Sequence, residues 1–268
     1  MVRDEGSRDS RHIPGIPGRV HRNDFMIGGD DAQMAEVYSR VGAGAYDLLA
    51  EGCAWAGVDL GNAKLLDFGC GYGRVSRVLA RELDPARISA FDVDPAAAAF
   101  CAREFGVQPL AFGSGWDWST VPFGRYDAIW VGSVFTHLDR EYARETMQLL
   151  LRLLQPQGAL VFTTHGDEAL ARNGWGWFGK PLQSRHAEVC AAYHGDGFFF
   201  APYSRRELAV LPFTFVRAAE FGTVFTSADW VRALVGELDG SRGRLEHRPS
   251  RWEHYQDAFY YSPEEGDA

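Results

Sequence analysis

The sequence is poor in cysteine and has no long hydrophobic run. Its four cysteines, Cys53, Cys70, Cys101 and Cys190, form no Cys-x-x-Cys pair, and no secretory hydrophobic segment stands near the N-terminus. This pattern excludes a zinc knuckle and a disulfide framework, and it predicts a protein of the reducing cytoplasm. No stretch approaches the roughly 20 hydrophobic residues of a membrane-spanning helix, so we expect no membrane association.

Positive charge is also scarce. The 268 residues include 27 lysines and arginines against 36 aspartates and glutamates, which gives a net charge of −9. This balance argues against an extended surface for nucleic acid phosphates, and we expect no nucleic acid partner. No His-x-x-x-His or similar ligand spacing occurs, so we expect no metal. With 46% hydrophobic residues, the chain can bury one large core.

The most informative stretch is Leu-Leu-Asp-Phe-Gly-Cys-Gly-Tyr-Gly at residues 65–73. A hydrophobic strand runs here into a glycine turn and then a helix. Gly69, Gly71 and Gly73 allow a sharp turn and the close approach of a ligand, and the helix start offers free N–H groups. Asp92 closes the next predicted strand, about where doubly wound folds place a ribose-binding carboxylate. Together these features predict a site for an adenosine derivative.

The spacing of the turn distinguishes between nucleotide cofactors. Dinucleotide-binding turns contain Gly-x-Gly-x-x-Gly, but Arg74 stands at the third of those positions, and no Gly-Lys-Ser/Thr of a P-loop follows. Asp67 would repel a pyrophosphate at close range, whereas it suits a ligand with an ammonium and a sulfonium group. S-adenosylmethionine carries both groups, so these residues favour it over NAD.

The stretch resembles the first motif of class I S-adenosylmethionine-dependent methyltransferases. Residues 91–95, 126–138 and 153–162 resemble later motifs of that family in the same order, so the resemblance covers roughly residues 60 to 165. It implies S-adenosylmethionine as the cofactor and the following binding residues: Asp67, Gly69, Cys70, Gly71, Asp92, Val93, Ser114, Trp116 and Ser133.

The resemblance also distributes these residues along the cofactor. It implies Asp67 and the first two glycines around the methionine end, Asp92 on both ribose hydroxyls, and Val93 beside the adenine. Ser114 and Trp116 lie in residues 113–124, where the family has its adenine-contacting loop. Each residue also has a structural explanation, because glycines make turns, aspartates cap helices and a tryptophan fills a sheet edge. Their joint occurrence at one sheet edge favours ligand binding.

Hydrophobic strands and helices alternate through the middle of the sequence. The patterns predict strands at 64–68, 87–91, 107–112, 126–131 and 159–164, and helices at 74–83, 95–105 and 139–154. This alternation predicts a doubly wound, mostly parallel α/β sheet. The resemblance implies a Rossmann-like sheet of seven strands, completed by an antiparallel hairpin at 245–252 and 257–261.

The remaining segments suggest the domain organisation. Residues 1–24 lack hydrophobic periodicity, so we expect a disordered tail without chemistry. Residues 25–268 are expected to form a single methyltransferase domain. Within it, residues 30–56 have a helical pattern and would either cover the cofactor or pack on the sheet. Residues 166–227 are expected to form an aromatic insertion, loop-like at first, that is either a lid and substrate wall or a small satellite core.

Two histidines follow predicted strands at the edge where the ligand would bind. His137 comes after the fourth core strand, and His165 ends the fifth. If the methyl acceptor is a hydroxyl group, a base helps by taking its proton, and these are the leading candidates. A role in capping a helix or shaping the pocket is an equal alternative for His137. His194, His254 and Asp257 are weaker candidates.

The surroundings of both histidines, together with Gly222–Arg232, resemble small-molecule methyltransferases of bacterial polysaccharide and natural-product pathways. This resemblance implies O-methylation of a sugar or secondary metabolite by in-line displacement. N- or C-methylation of a small molecule or peptide stays open. So does a silent partner subunit that binds S-adenosylmethionine without turnover. The assembly, including a homodimer, is also open.

Overall fold

A computed structural model of the protein describes residues 9–29, 31–110, 123–209 and 218–263. In these ranges the strands are β1 (Ser10–His12), β2 (Arg19–His21), β3 (Leu65–Phe68), β4 (Ile88–Phe91), β5 (Gln108–Pro109), β6 (Tyr126–Val131), β7 (Leu154–His165), β8 (Phe198–Pro202), β9 (Gly222–Thr226), β10 (Arg244–Trp252) and β11 (Gln256–Ser262). The helices are α1 (Ala32–Ala56), α2 (Ser76–Glu82), α3 (Pro95–Phe105), α4 (Arg140–Leu153), α5 (Asp167–Gly174), α6 (Lys180–Gln183), α7 (His186–Asp196), α8 (Arg205–Ala209) and α9 (Ala228–Asp239).

A seven-stranded sheet forms the centre of the fold, in the order β10-β11-β7-β6-β3-β4-β5. Strands β5, β4, β3, β6 and β7 are parallel, whereas β11 runs antiparallel to both of its neighbours, β7 and β10. The chain moves outward from β3 to β4 and β5 and then returns to β6 and β7 on the other side. The predicted doubly wound, mostly parallel sheet with its antiparallel C-terminal hairpin is therefore confirmed.

Helices cover both faces of this sheet. Helices α1, α2 and α3 pack on one face, and α4 and α9 pack on the other. Local sequence sets where several of them begin: Asp94, Asp139 and Ser227 each accept a hydrogen bond from a first-turn N–H group of α3, α4 and α9. The caps of Asp94 and Asp139 fix the starts of α3 and α4 beyond the carboxyl ends of β4 and β6, which is where a doubly wound sheet binds ligands.

Residues 9–29 are ordered, so the expectation of a disordered tail is wrong for residues 9–24. Strands β1 and β2 form a short hairpin, and Ile13, Ile16 and Val20 are buried. The buried guanidinium of Arg77 on α2 donates hydrogen bonds to the carbonyls of Pro17 (2.6 Å) and Arg19 (3.3 Å). The segment is stabilised by this long-range contact, which local hydrophobic periodicity does not reveal.

The insertion at 166–227 contains helices where the sequence suggested a loop at first. Helices α5, α6 and α7 pack around a separate small core that includes Leu170, Val189, Tyr193 and Phe225. Strands β8 and β9 pair antiparallel as a separate ribbon. The satellite core expected as one alternative is therefore present. A lid role for the insertion stays a prediction. No helix in the described part of the chain is long and hydrophobic enough to cross a membrane.

Candidate active site

The predicted site residues lie at the carboxyl ends of adjacent strands. Asp92 follows β4, the glycine turn follows β3, Ser133 follows β6, and His165 ends β7. These strands are neighbours in the sheet. With about 4.8 Å between strands, Asp92 and His165 are separated by roughly 14 Å across the edge. This edge is where the strand order reverses, which is the usual ligand crevice of an open α/β sheet.

The three glycines of the turn serve different purposes. All have positive φ angles: 83° at Gly69, 51° at Gly71 and 89° at Gly73. A Cβ atom on Gly69 would lie 2.4 Å from the Val134 side chain, and one on Gly73 would lie 2.3 Å from the Phe105 ring. A Cβ atom on Gly71 would meet no atom within 4 Å. Gly69 and Gly73 are therefore required by packing, whereas Gly71 borders the open side of the crevice.

Asp92 is positioned by backbone groups on both sides. The N–H of Gly71 donates to its Oδ2 at 2.8 Å, and the N–H of Asp94 donates to its Oδ1 at 2.9 Å. Burial raises the pKa of Asp92 to about 6, although these hydrogen bonds act in the opposite direction. Each carboxylate oxygen keeps a further lone pair. The residue can therefore accept hydrogen bonds from two hydroxyl groups, as binding a ribose requires.

Asp67 is only 1% exposed and lies beneath the glycine turn. The hydroxyl of Ser76 donates to its Oδ2 at 2.6 Å. Burial, and to a lesser degree the charge of Asp92, raise the pKa of Asp67 to about 7, while the Ser76 hydrogen bond lowers it. No lysine or arginine among the described residues forms an ion pair with it. A buried carboxylate without a cation fits a positively charged ligand, such as one with ammonium and sulfonium groups.

Two further residues of the predicted cofactor set lie near this turn. The thiol of Cys70 is buried in the core, so only its backbone is available to the crevice, and its N–H donates to the carbonyl of Phe91. Val93 is partly buried against the core on the α4 face, directly after Asp92. Ser114 and Trp116 lie outside the described residues.

The N-terminal hairpin packs beside the ribose end of the crevice. The His21 ring stacks on Tyr72 with centroids 4.2 Å apart, and the Tyr72 hydroxyl donates to Asp94 at 2.7 Å. Arg77 also donates to the carbonyl of Gly73 at 3.0 Å, so one side chain holds both the hairpin and the glycine turn. Sequence reasoning missed these residues, because it assigned the first 24 residues no role.

Ser133 has a strained backbone that a closed hydrogen-bond network supports. Its φ angle of 60° is unusual for a residue with a side chain. The N–H of Ser133 donates to the Thr163 hydroxyl (2.8 Å), that hydroxyl donates to Oε1 of Gln256 (2.8 Å), and Nε2 of Gln256 donates back to the Ser133 hydroxyl (2.6 Å). The network fixes the loop after β6 next to the glycine turn. The sequence indicated Ser133 but not its two partners.

His165 is a buried and neutral histidine with one free ring nitrogen. Its Nδ1 lies 2.9 Å from the carbonyl oxygen of Val224. A carbonyl only accepts, so Nδ1 carries the proton and Nε2 keeps a lone pair. Burial, and to a lesser degree the nearby His137, lower the pKa of His165 to about 3, although the hydrogen bond to Val224 acts in the opposite direction. Nε2 has no hydrogen-bond partner within the described ranges, so it is available to accept a proton.

His137 is held more tightly than His165. Its Nδ1 lies 3.2 Å from the carbonyl oxygen of Gly222 and 2.7 Å from the hydroxyl of Tyr203. Burial lowers its pKa. Both contacts attach the loop after β6 to the ribbon of β8 and β9. Strand β9 therefore contacts both predicted histidines through Nδ1, and Nε2 of each has no hydrogen-bond partner within the described ranges.

Two of the weaker catalytic candidates, Asp257 and His254, make other contacts. The buried carboxylate of Asp257 accepts hydrogen bonds from Nε2 of His247 (2.7 Å) and from the N–H of Ser250 (2.9 Å). His254 lies in the turn between β10 and β11, where its carbonyl accepts a hydrogen bond from Arg172 (2.8 Å). These contacts explain both residues without a catalytic role.

An aromatic wall adjoins His165. The wall consists of Trp177, Phe178 and Tyr255, and the ring centroids of Phe178 and Tyr255 lie 4.9 and 5.8 Å from that of His165. Trp177 contacts Tyr255 at 5.9 Å and is 61% exposed. The sequence indicated the aromatic motif at 173–179, but not Tyr255, which precedes β11 and reaches His165 only through strand pairing.

Comparisons with known proteins agree with this geometry. A family model described as a methyltransferase domain matches residues 66–160. The fold is similar to that of an S-adenosylmethionine-dependent methyltransferase from Clostridium acetobutylicum ATCC 824, which is 13% identical with a TM-score of 0.51 over 87% of this chain and 98% of that one. No curated protein matches the sequence.

Two proteins from Burkholderia thailandensis are also similar. The 1,6-didemethyltoxoflavin-N1-methyltransferase, solved with 1,6-didemethyltoxoflavin and S-adenosylhomocysteine, is 13% identical with a TM-score of 0.52 over 96% of this chain and 100% of that one. An O-methyltransferase family protein is 14% identical with a TM-score of 0.48, and the match covers 88% of this chain and 61% of that one. At these identities the likeness concerns the fold alone.

Proposed function

We propose that this chain is an S-adenosylmethionine-dependent methyltransferase that transfers the methyl group to a hydroxyl group of a small molecule, and the methyltransferase domain model that matches residues 66–160 supports this proposal. The observation that carries the hydroxyl assignment is His165, a neutral imidazole with a free Nε2 at the crevice edge. An amine acceptor can be methylated by alignment alone, whereas a hydroxyl group benefits from a base that removes its proton.

The crevice residues account for cofactor binding. Asp92 accepts the ribose hydroxyls, Asp67 provides the negative charge near the methionine end, and Gly71 leaves room for close approach. Val93 lies beside the adenine, and we assign Ser114 and Trp116 to the same end from their position in the sequence. When bound, S-adenosylmethionine supplies an electrophilic methyl group on a positively charged sulfur.

His165 handles the proton of the acceptor. With S-adenosylmethionine bound, its Nε2 would take the proton that the acceptor hydroxyl loses on methylation. Nδ1–H stays on the carbonyl of Val224, so the ring keeps its orientation. His165 would gain a positive charge in the same step in which the sulfur of S-adenosylmethionine loses one. The net charge of the buried site is therefore unchanged, which permits a base whose pKa is lowered by burial.

The cofactor assignment is tested by calorimetry with S-adenosylmethionine, S-adenosylhomocysteine and NAD. We expect the first two to bind and NAD not to bind. Asp92→Ala should weaken binding about 100-fold, because two hydrogen bonds to a charged group are lost. Asp47→Ala, which changes an exposed carboxylate on α1, is the matched control. Binding of NAD alone would contradict the proposal, and binding without transfer to any acceptor would indicate a silent subunit.

The acceptor chemistry is tested with His165→Gln. For a hydroxyl acceptor we expect kcat to fall about 10²-fold or more, with cofactor affinity unchanged, because the base is lost. His194→Gln, on helix α7, should retain wild-type turnover. If His165→Gln keeps the full rate, the acceptor atom is a nitrogen or carbon that needs no base, and O-methylation is wrong.

A further inference from the structure

The aromatic wall of Trp177, Phe178 and Tyr255 continues the cofactor crevice beyond its methionine end. Across the sheet edge, the order is Asp92, the glycine turn, Ser133, His165 and then Tyr255. Nε2 of Gln256 lies 3.4 Å from the Tyr255 hydroxyl and also donates to Ser133. The Tyr255 ring therefore lies next to His165, at the end of this row opposite Asp92.

Tyr255 is held from two sides. Arg74, at the end of the glycine turn, pairs with Glu253 at 3.5 Å and lies over the Trp252 ring. Arg172 of α5 lies 5.2 Å from the centroids of both Trp177 and Tyr255. Each arginine thus braces the turn between β10 and β11, one from the cofactor side and one from the insertion.

The turn that carries Tyr255 is also strained. Glu253 and His254 have φ angles of 53° and 62°, a region that residues with side chains seldom adopt. Such strain persists only where surrounding contacts impose it, and it is common at functional sites. The contacts that impose it here are those of Arg74 and Arg172, and their result is a fixed Tyr255 ring next to His165.

The polar groups around the wall are already paired. Arg172 is bound to Glu168 (2.9 Å) and to the His254 carbonyl, Arg74 to Glu253, and Gln256 to Ser133 and Thr163. A sugar needs several converging hydrogen-bond partners, one or more for each hydroxyl. Trp177, which is 61% exposed, offers open aromatic surface at this wall.

We infer that the acceptor is a flat aromatic molecule with a hydroxyl group, whose ring lies against Tyr255 and Trp177 while its hydroxyl reaches Nε2 of His165. This inference rests on the proposed function and narrows its substrate class. The reaction balances as a phenol plus S-adenosylmethionine giving an aryl methyl ether and S-adenosylhomocysteine, with the phenolic proton passing to His165. Stacking of two π faces supplies affinity without further polar groups.

The test uses the full chain and two panels of probes, with the protein saturated with S-adenosylhomocysteine for binding and, in separate samples, supplied with S-adenosylmethionine for methyl transfer. One panel holds flat phenols of one to three fused rings, and the other holds methyl glycosides. Binding is followed by quenching of tryptophan fluorescence, and methyl transfer from S-adenosylmethionine is followed by mass spectrometry. We expect flat phenols to bind and to be methylated. Methylation of glycosides but not of any phenol would overturn the inference.

Two exposed tryptophans offer a matched comparison. Trp177→Ala should weaken binding of the phenols about tenfold, because one stacking face is lost. Trp175→Ala should leave it unchanged, since Trp175 is 74% exposed and makes no ring contact within the described ranges. Equal effects of the two changes would contradict the inference.

Two substitutions of Tyr255 test whether its ring or its hydroxyl matters, and the affinity for S-adenosylhomocysteine is measured in both. Tyr255→Phe keeps the ring and should retain phenol binding, whereas Tyr255→Leu should lose it, with S-adenosylhomocysteine affinity intact in both. Loss in Tyr255→Phe as well would show that the hydroxyl matters rather than the ring, and would count against stacking. If the wild type fails to bind S-adenosylhomocysteine, the proposed function fails; if it binds and only the phenol panel fails, the inference alone fails.

Discussion

At the scale of single residues, the buried carboxylate of Asp67 lowers the stability of the free protein and favours binding of a cation. Its carboxylate is buried with one hydroxyl donor, Ser76, and with Asp92 as a nearby like charge. Ionising such a group costs free energy until a cation is bound. The described residues supply no such cation at Asp67.

This charge predicts a pH dependence. The pKa of Asp67 is about 7 in the folded protein against 3.8 for an unperturbed aspartate, so between about pH 4 and 7 the folded state holds more protons than the unfolded chain. The protonated carboxyl of Asp67 contributes stability below this pH window, and this contribution is lost as the pH rises through it. Without cofactor, Asp67→Asn should raise the free energy of unfolding at pH 8 by about 1–2 kcal/mol and weaken cofactor binding.

Urea unfolding at pH 5.5 and pH 8 measures this effect. Asp67→Asn should flatten the decline in stability between the two values, and Asp47→Asn, at an exposed position on α1, should leave it as in the wild type. The same decline in Asp67→Asn as in the wild type would show that the charge of Asp67 is compensated inside the protein.

At the scale of elements, the glycine turn between β3 and α2 separates packing from binding. Gly69 and Gly73 have positive φ angles and face side chains of the loop after β6 and of α3, whereas Gly71 has a positive φ angle and faces open space. The family resemblance assigns Gly69 and Gly71 to the ligand. Only the neighbouring elements show that Gly69 and Gly73 are needed to close the fold.

Two alanine substitutions distinguish these uses. Gly69→Ala should lower the free energy of unfolding by about 3 kcal/mol, because its Cβ would overlap the Val134 side chain at a strained φ angle. Gly71→Ala should cost only about 1 kcal/mol but weaken S-adenosylhomocysteine binding at least tenfold. Thermal unfolding and calorimetry on both variants provide the measurement. A Gly71→Ala variant with normal affinity would place the ligand elsewhere.

The sequence predicted those helices and strands whose pattern lies within the segment itself. The strand before the glycine turn, the helix predicted at 95–105 and the helix predicted at 139–154 all occur as expected. Tyr255 and Gln256 were missed as site residues, because they reach His165 and Ser133 only through the pairing of β11 with β7. Contacts between residues this far apart in the sequence leave no periodic pattern in either segment.

At the scale of the whole molecule, the two ends of the described chain are both built into the site. The N-terminal hairpin packs beside the ribose end through Arg77, and the C-terminal strands supply Tyr255 and Gln256 at the acceptor end. Sequence could place the central sheet, because strands and helices alternate there. It could not place residues 9–24, whose order depends on one buried arginine about 60 residues away in the chain.

Arg77 offers a test of that dependence. Arg77→Ala should lower the free energy of unfolding by about 3 kcal/mol, since its bonds to buried carbonyls are lost. It should also release the hairpin, so that trypsin cleaves at Arg11, Arg19 and Arg22 under conditions that leave the wild type intact. Arg81→Ala, exposed on the same helix, is the control. Equal protection in both variants would show that the hairpin is held by its own small core.

The placement of β11 between β7 and β10 has a consequence for biosynthesis. A nascent chain can pair β3, β4, β6 and β7 while it is still being made, but it lacks an interior strand of its sheet until residue 262 has left the ribosome. Until then the outer edge of β7 is unpaired, and such edges are sites of aggregation. The glycine turn thus forms well before the chain can hold an acceptor, and a ribosome stalled short of β11 would leave a cofactor crevice without the wall that completes it.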